Sequence, residues 1–213
     1  MRIAIVGNGP SAAGKGAEID AHDKVVRCGV WGITAAPDTG RKLDAWAWFG
    51  AMGHPKNMGA YPAGNYEFWV TRAVNPQRPI IPEHATLLYN VIVATQGFRP
   101  LKVITEEHWT RANAYLKAQP TTGFLALHMA MLGYFGAIPD AVTVYGFDCT
   151  TPDKPGWEYG GRAHAGCPPI LGPGDHDHPA EKKAILELVR KGTWLGNPVT
   201  IKATWSSMPE GLE

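Results

Sequence analysis

The chain has 213 residues, 45% of them hydrophobic and 18% charged, which provides for one full α/β-sized core and argues against general disorder. Its 20 basic residues against 19 acidic ones leave a formal net charge of +1, giving no electrostatic reason to expect a nucleic-acid or anionic-membrane partner. Three cysteines, Cys28, Cys149 and Cys167, are too few and too scattered for a disulfide scaffold or a four-thiolate zinc site, so a reducing cytoplasm is the expected setting.

Arg2-Ile3-Ala4-Ile5-Val6 reads as a fully buried strand, and Gly7-Asn8-Gly9-Pro10-Ser11 as the turn that leaves its carboxyl end. The apolar run stops at Gly7, far short of a signal-peptide core or a membrane span, so a soluble chain is expected. A short helix over 12–19, weakened by Gly14 and Gly16, leads to a second strand at 24–28. This opening is that of a doubly wound sheet, with ligands expected at the carboxyl ends of its strands. A turn at Gly40 precedes a third strand ending near Phe49; residues 50–66 form a Gly/Pro-rich loop, and 67–71 a fourth strand. Residues 87–93 fit strand or helix, and 101–104 are short and apolar. Thr105-Glu106-Glu107-His108 has the form of a capping box opening a helix to about Lys117. Pro120-Thr121-Thr122-Gly123 is a tight turn entering an apolar helix to about Phe135, followed by a strand at 141–147. Residues 149–178 show no periodicity and much Gly, Pro, His and Asp, as lids and binding loops do. Pro179 then begins a helix to about Lys191, acidic early and basic late, and a last strand covers 199–203. No internal repeat or linker divides the chain, which reads as one domain over 1–213. The 25 Gly and 18 Pro, with eight Trp, point to long ordered loops with aromatic walls, or equally to tryptophans used as core filling.

Three places could carry chemistry. The Pro120–Gly123 turn presents backbone N–H groups and two hydroxyls at a helix N-terminus, a suitable place to hold a phosphate. The turn after the first strand has two functional readings. Gly7-x-Gly9-x-x-Ala12 fits a relaxed dinucleotide fingerprint, although Arg27-Cys28-Gly29 at the end of the second strand offers no carboxylate for a ribose. Alternatively it is a nucleotide site with the Asn8 amide as a ligand, and a purely structural turn is the bland account. In the long loop, His164, His176 and His178 stand near Asp175 and Asp177, and His176-x-x-x-x-Glu181 runs into the final helix. Zinc ligation is conceivable, but Pro179 breaks the helical phase that a metal-binding face would need, so no metal is expected. Solvated loop histidines are one reading. The sharper one is a general base, since an imidazole with an ordinary pKa of about 6.5 suits proton abstraction from a hydroxyl.

Read together, these segments resemble the sialyltransferases of glycosyltransferase family 29. Ile3 to Asn8, Gly16-Ala17-Glu18-Ile19-Asp20-Ala21-His22 and Val25-Val26-Arg27 resemble the long sialylmotif. Pro120-Thr121-Thr122-Gly123 and Tyr145-Gly146-Phe147 resemble the short motif, and His176 with Glu181 the very short one. Gly40-Arg41-Lys42-Leu43-Asp44 stands where that family has a G-x-K-T segment, and the opening turn and compact length are also similar to bacterial family 42 sialyltransferases. The resemblance covers roughly half the chain. It departs from the pattern at Gly29 (Asn in the family), at Thr121 (Ser), and around His164, where the aromatic-rich third motif is not recognisable. The bridging cysteines of secretory-pathway members are absent, with Ile3 at the first place and Gly133-Tyr134 around the second, which fits a cytoplasmic bacterial or viral version.

The resemblance implies a single Rossmann-like, GT-A-like sialyltransferase domain with a mostly parallel sheet flanked by helices and a lid at about 149–178. It implies metal-independent, inverting transfer of sialic acid or a related sugar from a CMP-sugar to a hydroxyl of a glycan or glycoconjugate, with no further cofactor. His176 would be the base and His164 would stabilise the departing phosphate. Asn8, Gly9, Ser11, Thr121, Thr122, Gly123, Tyr145 and Glu181 would line the donor site. Trp46, Trp109, Trp157 and Tyr159 are candidates for an acceptor platform. A catalytically weak CMP-binding relative and an NAD- or FAD-dependent Rossmann oxidoreductase remain the alternatives.

Overall fold

The computed structural model describes residues 1–7, 9–29, 38–48, 65–71, 100–147 and 178–204. Strand β1 is Arg2–Val6 and β2 is Lys24–Cys28, with the bounds that their apolar runs mark. Between them the chain makes a 3-10 turn, Pro10–Ala12, and the short helix α1, Gly16–Asp20. The expected helix over 12–19 is broken by Gly14, whose φ of 72° no helix tolerates. Strands β3 (Ala45–Trp48), β4 (Glu67–Val70) and β5 (Leu101–Val103) follow, then α2 (Glu106–Leu116), α3 (Thr122–Met131), β6 (Ala141–Tyr145) and α4 (His178–Lys191). A short antiparallel pair, β7 (Thr193–Trp194) with β8 (Asn197–Pro198), precedes β9 (Thr200–Thr204).

Threonine caps start both central helices. The Thr105 hydroxyl accepts from the His108 N–H at 3.2 Å, and the Thr121 hydroxyl from the Phe124 N–H at 3.1 Å. The first is half of the expected capping box: the residue three places on is His108, which has no carboxylate to return the bond. Helix α3 ends at Met131 rather than near Phe135, because Gly133 turns left-handed at φ 79°.

The main sheet has seven strands in the order β5-β4-β3-β2-β1-β6-β9, and every neighbouring pair is parallel. Alternation along the strands divides its two faces. Ile3, Ile5, Val26, Ala45, Ala47, Trp69, Val142 and Val144 join the large core under α2, α3 and α4. Ala4, Val6, Val25 and Tyr145 pack with Ile19 of α1 on the opposite face. Helix α3 is the centrepiece: every residue from Phe124 to Met131 is buried, as expected of a helix that is apolar all round. The architecture is a doubly wound α/β fold of Rossmann type. From β1 the order runs outward through β2 to β5 on one side and through β6 to β9 on the other, so the direction reverses between β1 and β6. In open parallel sheets the ligand crevice lies at that reversal, outside the carboxyl ends of the strands.

The ambiguous segment at 87–93 lies outside the described residues, as does the expected lid up to residue 177. No helix of the described residues is long and apolar enough to cross a membrane.

Candidate active site

At the β1/β6 reversal two turns cross at backbone contact. The Gly7 N–H donates to the Tyr145 carbonyl at 2.8 Å and the Gly9 N–H to the Gly146 carbonyl at 2.9 Å. A Cβ on Gly7 would lie 2.6 Å from the Gly146 oxygen, and Gly146 itself holds φ at 67°, so neither position accepts a side chain. Gly7 is therefore explained by its contact with the turn after β6, without a pyrophosphate. The Phe147 ring fills the space next to this crossing. It would touch a Cβ on Gly7 at 3.2 Å and one on Gly123 at 2.9 Å, and so joins the β1 turn, the β6 turn and the start of α3 in one packed unit. The role of Phe147 is not legible in the sequence; its only signal there is its place after Tyr145-Gly146.

The start of α3 is held from the other side by α4. Glu181, in the first turn of α4 and 3% exposed, accepts from the Thr121 N–H at 3.1 Å and from the Thr121 hydroxyl at 2.6 Å. Burial pushes its carboxyl up to about 7, against the downward pull of these two bonds. The Thr121 hydroxyl is thus occupied on both sides, donating to Glu181 and accepting from Phe124. Of the first N–H groups of α3, those of Thr122 and Gly123 have no partner among the described residues. Two open N–H groups at the N-terminus of a helix, next to the sheet's reversal, can hold an oxyanion.

Of the expected site residues, Gly9, Thr121, Thr122, Gly123 and Glu181 are brought to this end of the sheet, and Ser11 lies in the 3-10 turn that leads away from it. Tyr145 contributes its backbone carbonyl. Its side chain is fully buried on the α1 face, with the hydroxyl donating to Glu18 at 2.9 Å and its pKa raised, by burial first and by Glu18 second. Asn8, His164 and His176 lie outside the described residues, as do Trp157 and Tyr159. Trp109 and Trp46 are core residues instead of acceptor platforms. Trp109, on the buried face of α2, belongs to the large core, and Trp46, 2% exposed, donates to the Gly29 carbonyl within a cluster with Tyr66 and Phe68.

The remaining charged residues of the long motif bind one another. Asp20 accepts from the N–H groups of Arg41 (2.8 Å) and Lys42 (2.9 Å), and stands 3.6 Å from the guanidinium of the fully buried Arg27. Arg27 donates to the carbonyls of Lys42 (2.9 Å) and Thr39 (2.8 Å); burial lowers its pKa to about 10, with Asp20 opposing. His22 sits edge-on to Tyr145, with Nε2 3.3 Å from the Thr143 hydroxyl. This network fastens α1, β2 and the 39–42 segment together. β2 itself carries no acidic residue to offer a ribose, and Glu18 and Asp20 of α1 are turned to structural partners. Among the described residues no cluster of His, Cys, Asp and Glu could hold a metal ion.

No family model matches the chain, and no curated protein matches it. Among solved structures 22 chains match. The crystal structure of a mammalian sialyltransferase superposes with a TM-score of 0.54 at 18% identity, over 94% of this chain and 68% of that one. At that identity the likeness is one of fold.

Proposed function

We propose that this chain is a sialyltransferase-like glycosyltransferase that transfers sialic acid or a related sugar from a CMP-sugar to an acceptor hydroxyl, with inversion and without an obligatory metal. The observation that carries the reading is the convergence at the β1/β6 reversal. The turn after β1, the Pro120–Gly123 turn and Tyr145-Gly146-Phe147 are far apart in sequence and meet in one packed unit. They are the segments in which the chain resembles the long and short sialylmotifs. The fold shared with a mammalian sialyltransferase supports the same reading.

In this mechanism the N–H groups of Thr122 and Gly123, with the Thr122 hydroxyl, hold the phosphate of the donor, and Asn8 contacts the cytidylate. His176 removes the proton of the acceptor hydroxyl as its oxygen attacks the anomeric carbon. The bond from that carbon to the phosphate oxygen breaks, and CMP departs with the electron pair, its charge stabilised by His164. Glu181 acts on Thr121 and sets the start of α3, so it is a positioning residue. Cytidylate is an adequate leaving group, which leaves the protein to position the acceptor, take its proton and stabilise charge.

The test is turnover of CMP-sialic acid, read as CMP released or as sialylated acceptor. The His176→Ala variant is expected to lose about 10²-fold or more in kcat/KM while its affinity for CMP stays unchanged. Undiminished turnover in that variant would show that the base is another group. No observation favours a dinucleotide enzyme: Gly7 is accounted for by Gly146, and Arg27-Cys28-Gly29 at the end of β2 has no carboxylate for a ribose.

A further inference from the structure

Resting on that reading of the crevice, we infer that Glu181 couples anion binding at the start of α3 to the uptake of one proton. As a carboxylate it occupies both donors of Thr121; as a carboxylic acid it releases the hydroxyl hydrogen and removes a negative charge from beside the ligand.

The geometry sets two anions against each other. Glu181 is buried at the N-terminus of α3, 2.6 Å from the Thr121 hydroxyl oxygen and 3.1 Å from the Thr121 nitrogen. The two open N–H groups that would receive a phosphate belong to the next residues, Thr122 and Gly123. Like charges so close disfavour simultaneous ionisation. Among the described residues no cation forms an ion pair with this carboxylate. From the sheet, the titratable group that feels it is Cys28 of β2, whose thiol burial pushes up to about 12 and keeps neutral. From α3 the contacts are the Thr121 N–H and hydroxyl, and along α4 the next charged residues are Lys182 and Lys183, neither of which perturbs it.

Protonation resolves the conflict without moving a backbone atom. A hydroxyl oxygen has two acceptor sites. The one on Thr121 already takes the Phe124 N–H, and the other can take the O–H of a protonated Glu181. The hydrogen bond between the two side chains then reverses, and the hydrogen of the Thr121 hydroxyl is released to the incoming anion. Burial has already brought this carboxyl to about 7, so the change falls where a ligand can drive it. With the carboxyl pKa higher in the complex than in the free protein, affinity for an anion of constant charge is highest below neutral pH. It falls by up to about tenfold per pH unit between the two values and levels off above both.

The experiment uses the methyl phosphodiester of CMP, whose charge does not change near neutrality. Titration calorimetry at pH 7.5 in two buffers of different ionisation enthalpy counts the protons exchanged. The wild type should take up a large fraction of one proton per ligand and bind several-fold more tightly at pH 6.5 than at 8.5; Glu181→Gln should bind with no uptake and a flat profile. No uptake in the wild type, or the same uptake in Glu181→Gln, overturns the coupling. A ¹³C spectrum of the Glu181 carboxyl in the wild type follows the same proton without a variant. A shift toward the protonated position on ligand addition supports the coupling, and an unmoved resonance contradicts it. Should the wild type bind no cytidine phosphodiester, the nucleotide reading fails and sulfate, of constant charge, becomes the probe. Greater thermal stabilisation by sulfate at pH 6.5 than at 8.5, abolished in Glu181→Gln, then upholds the coupling, whereas equal stabilisation at both pH values in the wild type overturns it.

Discussion

Gly123 and His128 lie five residues apart and constrain the chain in opposite ways. At Gly123 the constraint is space. A methyl group there would meet the Phe147 ring at 2.9 Å. Gly123→Ala should cost about 1–3 kcal/mol in urea unfolding and weaken CMP binding, because the displaced ring also touches the Gly7 side of the crevice. Adding Phe147→Leu, which opens that space, should recover part of the loss, a non-additivity that separates steric conflict from a propensity effect. At His128 the constraint is charge. Its ring is fully buried against Trp194 (centroids 5.0 Å) and His108 (5.9 Å), with neither ring nitrogen hydrogen-bonded. Burial first, and the charge of His108 second, lower its pKa to about 3. A histidine held neutral below its unfolded value of about 6.5 destabilises the fold as pH drops, because the unfolded chain binds the proton more readily. Stability should therefore decline between roughly pH 6.5 and 3, and His128→Leu should flatten that decline in denaturation measured across the range.

The network around Arg27 belongs to the scale of elements. It joins α1, β2 and the 39–42 segment through a buried guanidinium whose partners include two carbonyls and Asp20. Arg27→Lys keeps the charge but cannot reproduce the fork, and leaves both carbonyls short of a donor. A loss of about 2–4 kcal/mol is expected, read from the urea midpoint, with β1 and α3 amides remaining protected from hydrogen exchange until global unfolding. Much at this scale was legible. Parallel strands buried on both faces read as apolar runs, so β1 and β2 have the expected bounds, while the Thr105 capping box marked the start of α2 and the Pro120–Gly123 turn that of α3. The β7–β8 pair was not legible, since two-residue strands carry no periodicity. Nor were side-chain assignments across long separations. Arg27 and Asp20 both stand in the stretch that resembles the long motif, and nothing in the sequence pairs them with each other. The Glu181–Thr121 contact spans 60 residues, so the sequence names both groups without pairing them.

At the scale of the whole molecule, the order of the strands locates the site. The reversal between β1 and β6 is a consequence of topology, and the Gly7–Gly146 crossing, the Phe147 ring and the open start of α3 all gather there. The sequence resemblance pointed to these same segments, and the arrangement supplies a physical reason why they must be near one another. The proposed chemistry depends throughout on the crevice at this reversal receiving the phosphate of a cytidine nucleotide. A crystal structure of the protein with CMP tests that most directly. The phosphate is expected within hydrogen-bonding distance of the Thr122 and Gly123 nitrogens, with the cytidine extending toward the turn after β1. A phosphate seated elsewhere, or no CMP bound at saturating concentration, would contradict it.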